Sequence, residues 1–349
     1  MSVVVFFLDS KNLGKMMDYH KYGTTQKLMA KMAGNLNNST ISRWISKLNI
    51  EPLEKTSERI IKNIRYSIEN VRALLKQVTF QDVNSSCKVI SFYNFKGGTG
   101  KTSICYQISA HLALMGFNVL VVDADPQAHL STSFGFDMHH ENPTLYDIIN
   151  GTIDASQAIK PVYQGLDCIP SNLALTRSEV VLNDLPKREE RVRINLENLK
   201  CNYDFIIFDT NPTISILNRN ILVFSDLVNI VCETQPYSLN GLKMLMEDMT
   251  RFYKNMQMNM PEILVIPNKY EDRSSSSAEA MTALRQYYPM YIIPDFAVRR
   301  SEDINTSAKS RLPLAFFART NSIAFEDIID LSHEILSKLG TKIDYKEVA

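Results

Sequence analysis

At 349 residues the chain has room for about two domains. Its balance of 45% hydrophobic and 22% charged residues is that of a globular protein with a buried core, which excludes a fibrous or wholly disordered protein. The formal net charge is zero, yet residues 1–87 hold 13 Lys and Arg against 7 Asp and Glu, a net +6, so the remainder carries −6. A basic amino-terminal part on an acidic body fits contact with a polyanion, or a solvated helical surface. No apolar run approaches the roughly 18 residues of a spanning helix, and the apolar residues 3–8 have neither a basic lead nor a small-residue cleavage site. A cytoplasmic protein is expected. The five cysteines (Cys87, Cys105, Cys168, Cys201 and Cys232) are widely spread without a CxxC pair, so core thiols are expected rather than a disulfide frame or a metal site.

Residues 25–79 read as helical. Leu28, Met29 and Met32, then Ile41, Trp44, Ile45 and Leu48, recur at three and four residues, which places them on one helix face. Two short helices joined by a turn result, and Asn37, Asn38, Ser39 and Thr40 offer side-chain oxygens to cap the second. Ala30, Gly34 and Ile41 stand where a helix-turn-helix needs a small residue, a turn residue and a packing residue. Ser39, Thr40, Ser42, Arg43 and Lys47 then face outward, toward phosphates and base edges; a plain helical hairpin is the alternative. A longer third helix, acting as linker or dimer contact, is expected from the stripe Ile60, Ile61, Ile64, Ile68, Val71, Leu74, Leu75 and Val78. The polar residues 81–86 mark the expected boundary between a small all-helical DNA-binding and dimerisation domain, 1–87, and a second domain, 88–349.

From residue 88 the pattern changes. Short β-branched runs at 89–92, 119–122, 205–208, 227–231 and 263–266 alternate with longer helical stretches. Nearly continuous apolar strands separated by helices imply a mostly parallel, doubly wound α/β sheet covered on both faces. The serines at 274–277 read as a loop.

The strand at 89–92 runs into Asn94-Phe95-Lys96-Gly97-Gly98-Thr99-Gly100-Lys101-Thr102-Ser103, ahead of a helical pattern. Strand, glycine-rich loop and helix in that order form a phosphate-binding loop. Its glycines let backbone N–H groups converge on phosphate oxygens, and the helix adds its positive end. Lys101 is placed to bridge the β- and γ-phosphates of ATP, and the Thr102 hydroxyl to ligate Mg²⁺. Phe95 stands where the ordinary pattern has glycine. Two carboxylates, Asp123 and Asp125, end the strand 119–122, and Asp209 ends 205–208, at the carboxyl ends of strands where ligands of such sheets bind. Asp209 is placed to hold Mg²⁺ through a water.

The extra lysine makes residues 96–102 resemble the deviant Walker A loop of the ParA/MinD family of ATPases. The resemblance implies that Lys96 reaches across a nucleotide-sandwich homodimer to the partner's phosphates, which suits charge stabilisation in phosphoryl transfer. It implies that Asp125 orients the attacking water while Asp123 supports the loop, and that Asn211 replaces a proline of the second switch. The segment 235–242 is similar to the one after the next strand of ParA-type ATPases. By the same resemblance Asn268 and Pro294 face adenine. It also implies that Arg273 and Arg299, with Arg300 beside it in the stretch 293–302, contact DNA without sequence preference. Arg311 stands where the family has glycine before Leu312.

With an amino-terminal helical region ahead of the loop, the chain resembles the larger plasmid partition ATPases. That resemblance implies a weak, Mg²⁺-dependent ATPase associated with the nucleoid. It implies an ATP-dependent homodimer that binds non-specific DNA, hydrolysis stimulated by a ParB-type partner, and repression of its own operon through operator DNA. Two alternatives stand beside it. A MinD-like ATPase positioned at a membrane requires a carboxy-terminal amphipathic basic helix, and the mixed-charge residues 338–349 do not resemble one, so no membrane is expected. A repressor using ATP as an effector requires operator binding that survives loss of hydrolysis.

Overall fold

The computed structural model describes residues 18–53, 64–82, 86–137 and 142–345. Residues 1–17, Ile60 and Ile61 of the expected stripe, 83–85 of the expected boundary and Lys346 of the tail lie outside the described residues. Strand β1 (Thr24–Thr25) leads into helices α1 (Gln26–Met32) and α2 (Asn38–Lys47). The turn between the helices passes through Gly34 and Asn35, at φ 68° and 60°, a left-handed conformation natural to glycine and tolerated by asparagine. Ala30 and Ile41 are buried, and of the residues expected to face outward Ser39, Ser42, Arg43 and Lys47 are exposed while Thr40 is half-buried.

The long third helix is shorter than the apolar stripe suggests. Arg65–Tyr66 forms β2, antiparallel to β1, and α3 begins only at Ile68, where Ser67 accepts the Asn70 N–H. The side-chain cap fixes that start; Ile64 is left exposed ahead of it. Ile68, Val71, Leu74, Leu75 and Val78 are 0–2% exposed, so the stripe of α3 is covered inside the subunit rather than left for a dimer contact. At the expected boundary, Thr79–Asp82 forms β3, which pairs antiparallel with a carboxy-terminal strand, Lys342–Tyr345.

The central sheet has eight strands: β4 (Lys88–Tyr93), β5 (Val119–Ala124), β6 (Lys160–Tyr163), β7 (Leu166–Ile169), β8 (Phe205–Thr210), β9 (Leu227–Glu233), β10 (Glu262–Tyr270) and β11 (Val298–Arg299), in the order β11-β10-β9-β4-β8-β5-β7-β6. All neighbours are parallel except β6 and β7, an antiparallel hairpin at one edge. Five of the six inner strands fall at the expected runs; the hairpin of β6 and β7, and β11, are too short and polar to stand out in the sequence. The two-residue period of a strand divides each between two cores. Ile90 and Phe92 of β4, Val121 of β5 and Ile207 of β8 face the cluster that includes α1, α2, α3 and the helix Ile323–Lys338. Val89, Val122 and Phe208 face the opposite layer.

Helix α4 (Lys101–Leu114) follows the glycine loop and is buried almost all round, its polar Gln107, Ser109 and His111 included. Arg72 of α3 sits at its far end, donating to the carbonyls of Ala113 and Phe117 and to Asn118 Oδ1. A cation there adds hydrogen bonds at the carboxyl end of α4 and opposes the negative end of the helix. The serines at 274–277 do more than form a loop: Ser274 accepts the Ser277 N–H and caps the helix Ser275–Tyr287. No described helix is long and apolar enough to cross a membrane.

Candidate nucleotide site

The glycine loop joins β4 to α4 at the carboxyl edge of the sheet. Gly98 and Gly100 take φ 76° and 96°, which L side chains rarely adopt. A Cβ at Gly97 or Gly98 would meet nothing within 4 Å, so both leave open space, whereas one at Gly100 would fall 2.3 Å from Asn268 Nδ2. Asn94 braces the loop from below: its Nδ2 donates to the Val231 carbonyl at 2.8 Å and its Oδ1 accepts the Lys96 N–H at 2.9 Å. Phe95, in place of glycine, packs into the apolar layer beside Gly241.

Lys101 is 6% exposed and lies over the loop, its Nζ 3.4 Å from the Lys96 carbonyl. Burial lowers its pKa, opposed by Asp209 and Asp125. These carboxylates come from neighbouring strand ends. Asp123 and Asp209 are direct partners across β5 and β8. Asp123 is fully satisfied: Oδ2 accepts the Ser131 N–H and hydroxyl at 2.8 and 2.6 Å, and Oδ1 the Asp125 N–H at 3.1 Å. Burial nevertheless raises its pKa to about 6. Its bonds tie the end of β5 to the short helix that follows, which holds Ser131. Asp125 is 9% exposed and accepts the Gln127 N–H at 2.9 Å.

Asp209 is different. It is fully buried, yet neither carboxylate oxygen has a hydrogen-bond partner. Burial, then Asp123, raises its pKa well above the carboxylate range; the Thr102 hydroxyl and Lys101 stand close enough to oppose the rise without a well-formed bond. A buried anion without a donor is costly. An oxygen-liganded cation beside Thr102 would supply the missing partner, so this donor set fits Mg²⁺, which takes few protein ligands and keeps waters and phosphate oxygens around it. Among the described residues no three His, Cys, Asp or Glu cluster as a metal cage.

The second switch follows Asp209. Where the family resemblance calls for proline, the Asn211 side chain accepts from Asn218 Nδ2 at 2.7 Å and from the Thr213 hydroxyl at 2.6 Å, and Asn218 also donates to the Thr213 carbonyl at 2.7 Å. A buried amide thus fixes the turn that a ring would otherwise stiffen.

Asn268, expected at adenine, is 6% exposed and donates to the Thr99 carbonyl at 2.6 Å, while Pro294 is exposed. The structure therefore brings together Lys96, the loop from Gly97 to Ser103, Asp125, Asp209 and Asn268. Ser42, Arg43 and Lys47 stand on α2, outside this cluster. Arg299 is committed elsewhere in the subunit: its backbone and guanidinium both bind Asp327 of the carboxy-terminal helix, a carboxylate only 4% exposed. Arg300 pairs with Glu271 at the surface, and Arg273 is exposed. Sequence reasoning missed Ser131, Asn94, Glu233 and Lys269. Glu233 and Lys269 hold Lys96 and the Gly98 carbonyl, and no motif marks either.

Comparison with known proteins agrees with this geometry. A family model described as an AAA domain matches residues 87–261. The chromosome partitioning protein ParA of Caulobacter vibrioides is 31% identical over 206 residues, which is 58% of this chain and 76% of that protein. Among solved structures, the ATP complex of an aspartate-to-alanine variant of McdA from Cyanothece aligns with TM-score 0.66 at 21% identity, over 75% of this chain and 98% of that one. Cobyrinic acid a,c-diamide synthase from Mycobacterium smegmatis, with bound ADP and magnesium, aligns with TM-score 0.63 at 21% identity, over 73% and 96%. These two structural likenesses speak to the fold, which serves more than one activity. The sequence likeness and the ordered motifs carry the family: the chain belongs to the ParA-type partition ATPases.

Proposed function

We propose that this chain is an ATP-dependent DNA-partition switch: it binds ATP with Mg²⁺ in the glycine loop, closes as a homodimer, holds DNA in that state, and lets go after hydrolysis. The observation that best supports this is the contrast between its two loop lysines. Lys101 is 6% exposed over its own loop, whereas the Lys96 side chain is 42% exposed and makes its ion pair at the rim of the site, with Glu233. A cation left at the surface of a phosphate loop is available to a second subunit. The bound nucleotides of McdA and the cobyrinic acid synthase support the same choice of ligand here.

In this reading the loop N–H groups and Lys101 hold the phosphates, Asp125 orients the attacking water, and Lys96 of the partner subunit offsets developing charge. Thr102, with Asp209 acting through a water, would hold Mg²⁺, which when bound would supply neutralising charge for the β- and γ-phosphates. Asn268 and Pro294 border the base. A charge completed only in the dimer gives slow intrinsic turnover, raised by a ParB-type partner. Residues 88–349 form the ATPase domain, and residues 1–87 a DNA-facing region whose α2 presents Ser42, Arg43 and Lys47 to operator DNA. Arg273 and Arg300 carry non-specific DNA contact on the nucleoid. Arg299 orders that surface through Asp327. Exposure of the α2 face favours repression of its own operon as a second activity. The tail offers no support for a MinD-like membrane mode, because residues 342–345 form a strand against β3.

The test is light scattering of the full chain with ATP, ADP or no nucleotide, for wild type and Lys96→Ala. An ATP-only dimer that Lys96→Ala abolishes, while a fluorescent ATP analogue still binds the monomer, is the expected result. A dimer indifferent to nucleotide and to Lys96 would overturn the proposal.

A further inference from the structure

At the rim of the glycine loop, one carboxylate is shared by two lysines. Glu233 ends β9 with its side chain 13% exposed; Oε2 accepts from Lys96 Nζ at 2.8 Å and Oε1 from Lys269 Nζ at 2.7 Å. Burial raises the Glu233 pKa, but the two lysines more than offset it and hold the group anionic. Lys96 Nζ also donates to the Ser238 hydroxyl at 3.2 Å.

Lys269 reaches this place by an irregular backbone. Its φ is 58°, and the pairing of β10 with β11 shifts register between Asn268 and Tyr270. Bulges re-aim side chains near sites, and a left-handed non-glycine residue persists only where its surroundings hold it. From the bulge Lys269 Nζ also donates to the Gly98 carbonyl at 2.6 Å. Glu233 therefore keeps one lysine anchored on the loop and one free to leave.

We propose that Glu233 is a positioning residue that retains Lys96 in its own subunit until the partner's nucleotide competes for it, and that Lys269 neutralises Glu233 once Lys96 has gone. The proposal rests on the ATP-dependent dimer argued above. Without Lys269, departure of Lys96 would leave a largely buried carboxylate uncompensated beside polyphosphate, which is strongly unfavourable. With Lys269 in place, the carboxylate keeps one cation in both states, so the exchange is reversible and its threshold is set by the strength of one ion pair.

Substitutions at Glu233 and at Lys269 then have opposite effects, unlike parts of a merely structural tie. The dimer dissociation constant is measured by sedimentation of the full chain with AMPPNP and Mg²⁺. Glu233→Gln, which frees Lys96, is expected to tighten the dimer about fivefold, the worth of a partly exposed ion pair. Lys269→Met, which leaves Glu233 to Lys96 alone, is expected to weaken it by a similar factor. The double variant is expected to match Glu233→Gln, because Lys269 acts only through the carboxylate. Lys269→Arg, which can keep both contacts, is expected to restore the wild-type constant and so separates this effect from damage to the loop. Same-sign changes in the two single variants, or a Lys269→Met effect that persists beside Glu233→Gln, would overturn the proposal while leaving the dimer intact. Wild type and every variant remaining monomeric with AMPPNP would instead remove the dimer reading itself, and this proposal with it.

Discussion

The nucleotide end of the sheet and the amino-terminal helices bury apolar side chains in one shared cluster, but only the first is built around buried charge. Lys101, Asp123, Asp125 and Asp209 are 0–9% exposed, and their positions follow from strand ends and from glycines at positive φ. On α2 the polar residues Ser39, Ser42, Arg43 and Lys47 all stand in water. Buried charge is expensive and is held only by well-placed partners, so it leaves a geometric signature. Surface charge is nearly free to change and leaves only a compositional one. The two regions therefore respond differently to mutation: the site trades stability for function, and the helical face does not.

The sharpest way to break this contrast is at Asp209. Asp209→Asn is expected to weaken Mg²⁺ affinity roughly 10- to 100-fold, as loss of a carboxylate acting through water does. It is also expected to raise the thermal midpoint of the metal-free protein. The sign follows from the raised pKa of the buried acid: its ionised form is disfavoured in the folded chain near neutral pH, so a neutral amide relieves the fold. Calorimetry without and with Mg²⁺ checks both halves. A metal-free protein destabilised by the change would mean that Asp209 is a structural anion and not a waiting ligand.

The same contrast explains what the sequence made legible. Five of the six inner strands and the loop announce themselves because burial on both faces forces continuous β-branched runs, and because Gly98 and Gly100 need a conformation that other residues resist. The edge strands Lys160–Tyr163 and Val298–Arg299 are hidden because an edge position does not demand an apolar run. The apolar stripe overran the start of α3 because a period of three or four cannot show that Ser67 caps a helix while Arg65 and Tyr66 pair as a strand. Lys269 was invisible for a related reason: only a register shift in three dimensions turns it toward the Gly98 carbonyl. Arg299 was legible as a cation at a marked place, but not as the partner of Asp327, which lies 28 positions away in the chain.

A second test lies inside the shared core. His111 on α4 is 2% exposed with no partner on either ring nitrogen; burial, with His333 adding, pushes its pKa down to about 3. The folded protein holds this ring neutral, while the unfolded chain protonates it below its ordinary pKa of 6.5. Between those values the unfolded state binds more protons, so stability present above pH 6.5 is lost as the pH falls. The loss amounts to about 2 kcal/mol by pH 5. Urea unfolding at pH 7 and pH 5 is expected to show that much more loss in wild type than in His111→Phe. Equal losses would place the acid sensitivity of the core elsewhere.

The smallest effect on the fold is expected at the helical face, and there the comparison becomes sharpest. Arg43 and Lys47 are exposed, and Lys47 lies over the Trp44 ring, 4.7 Å from its centroid, so the double change Arg43→Ala, Lys47→Ala removes charge and little packing. Stability is expected to stay within about 0.5 kcal/mol of wild type, as for surface positions generally. Binding to operator DNA is expected to fall, with the dependence of log affinity on log salt shallower by about 2, one for each phosphate no longer neutralised. ATP-dependent binding to non-specific DNA, carried in this reading by Arg273 and Arg300, is expected to keep its slope. Fluorescence anisotropy across a salt series separates the outcomes. Equal flattening on both DNAs would show that one surface serves both, and that the division of labour between the helical face and the arginines near β11 is wrong.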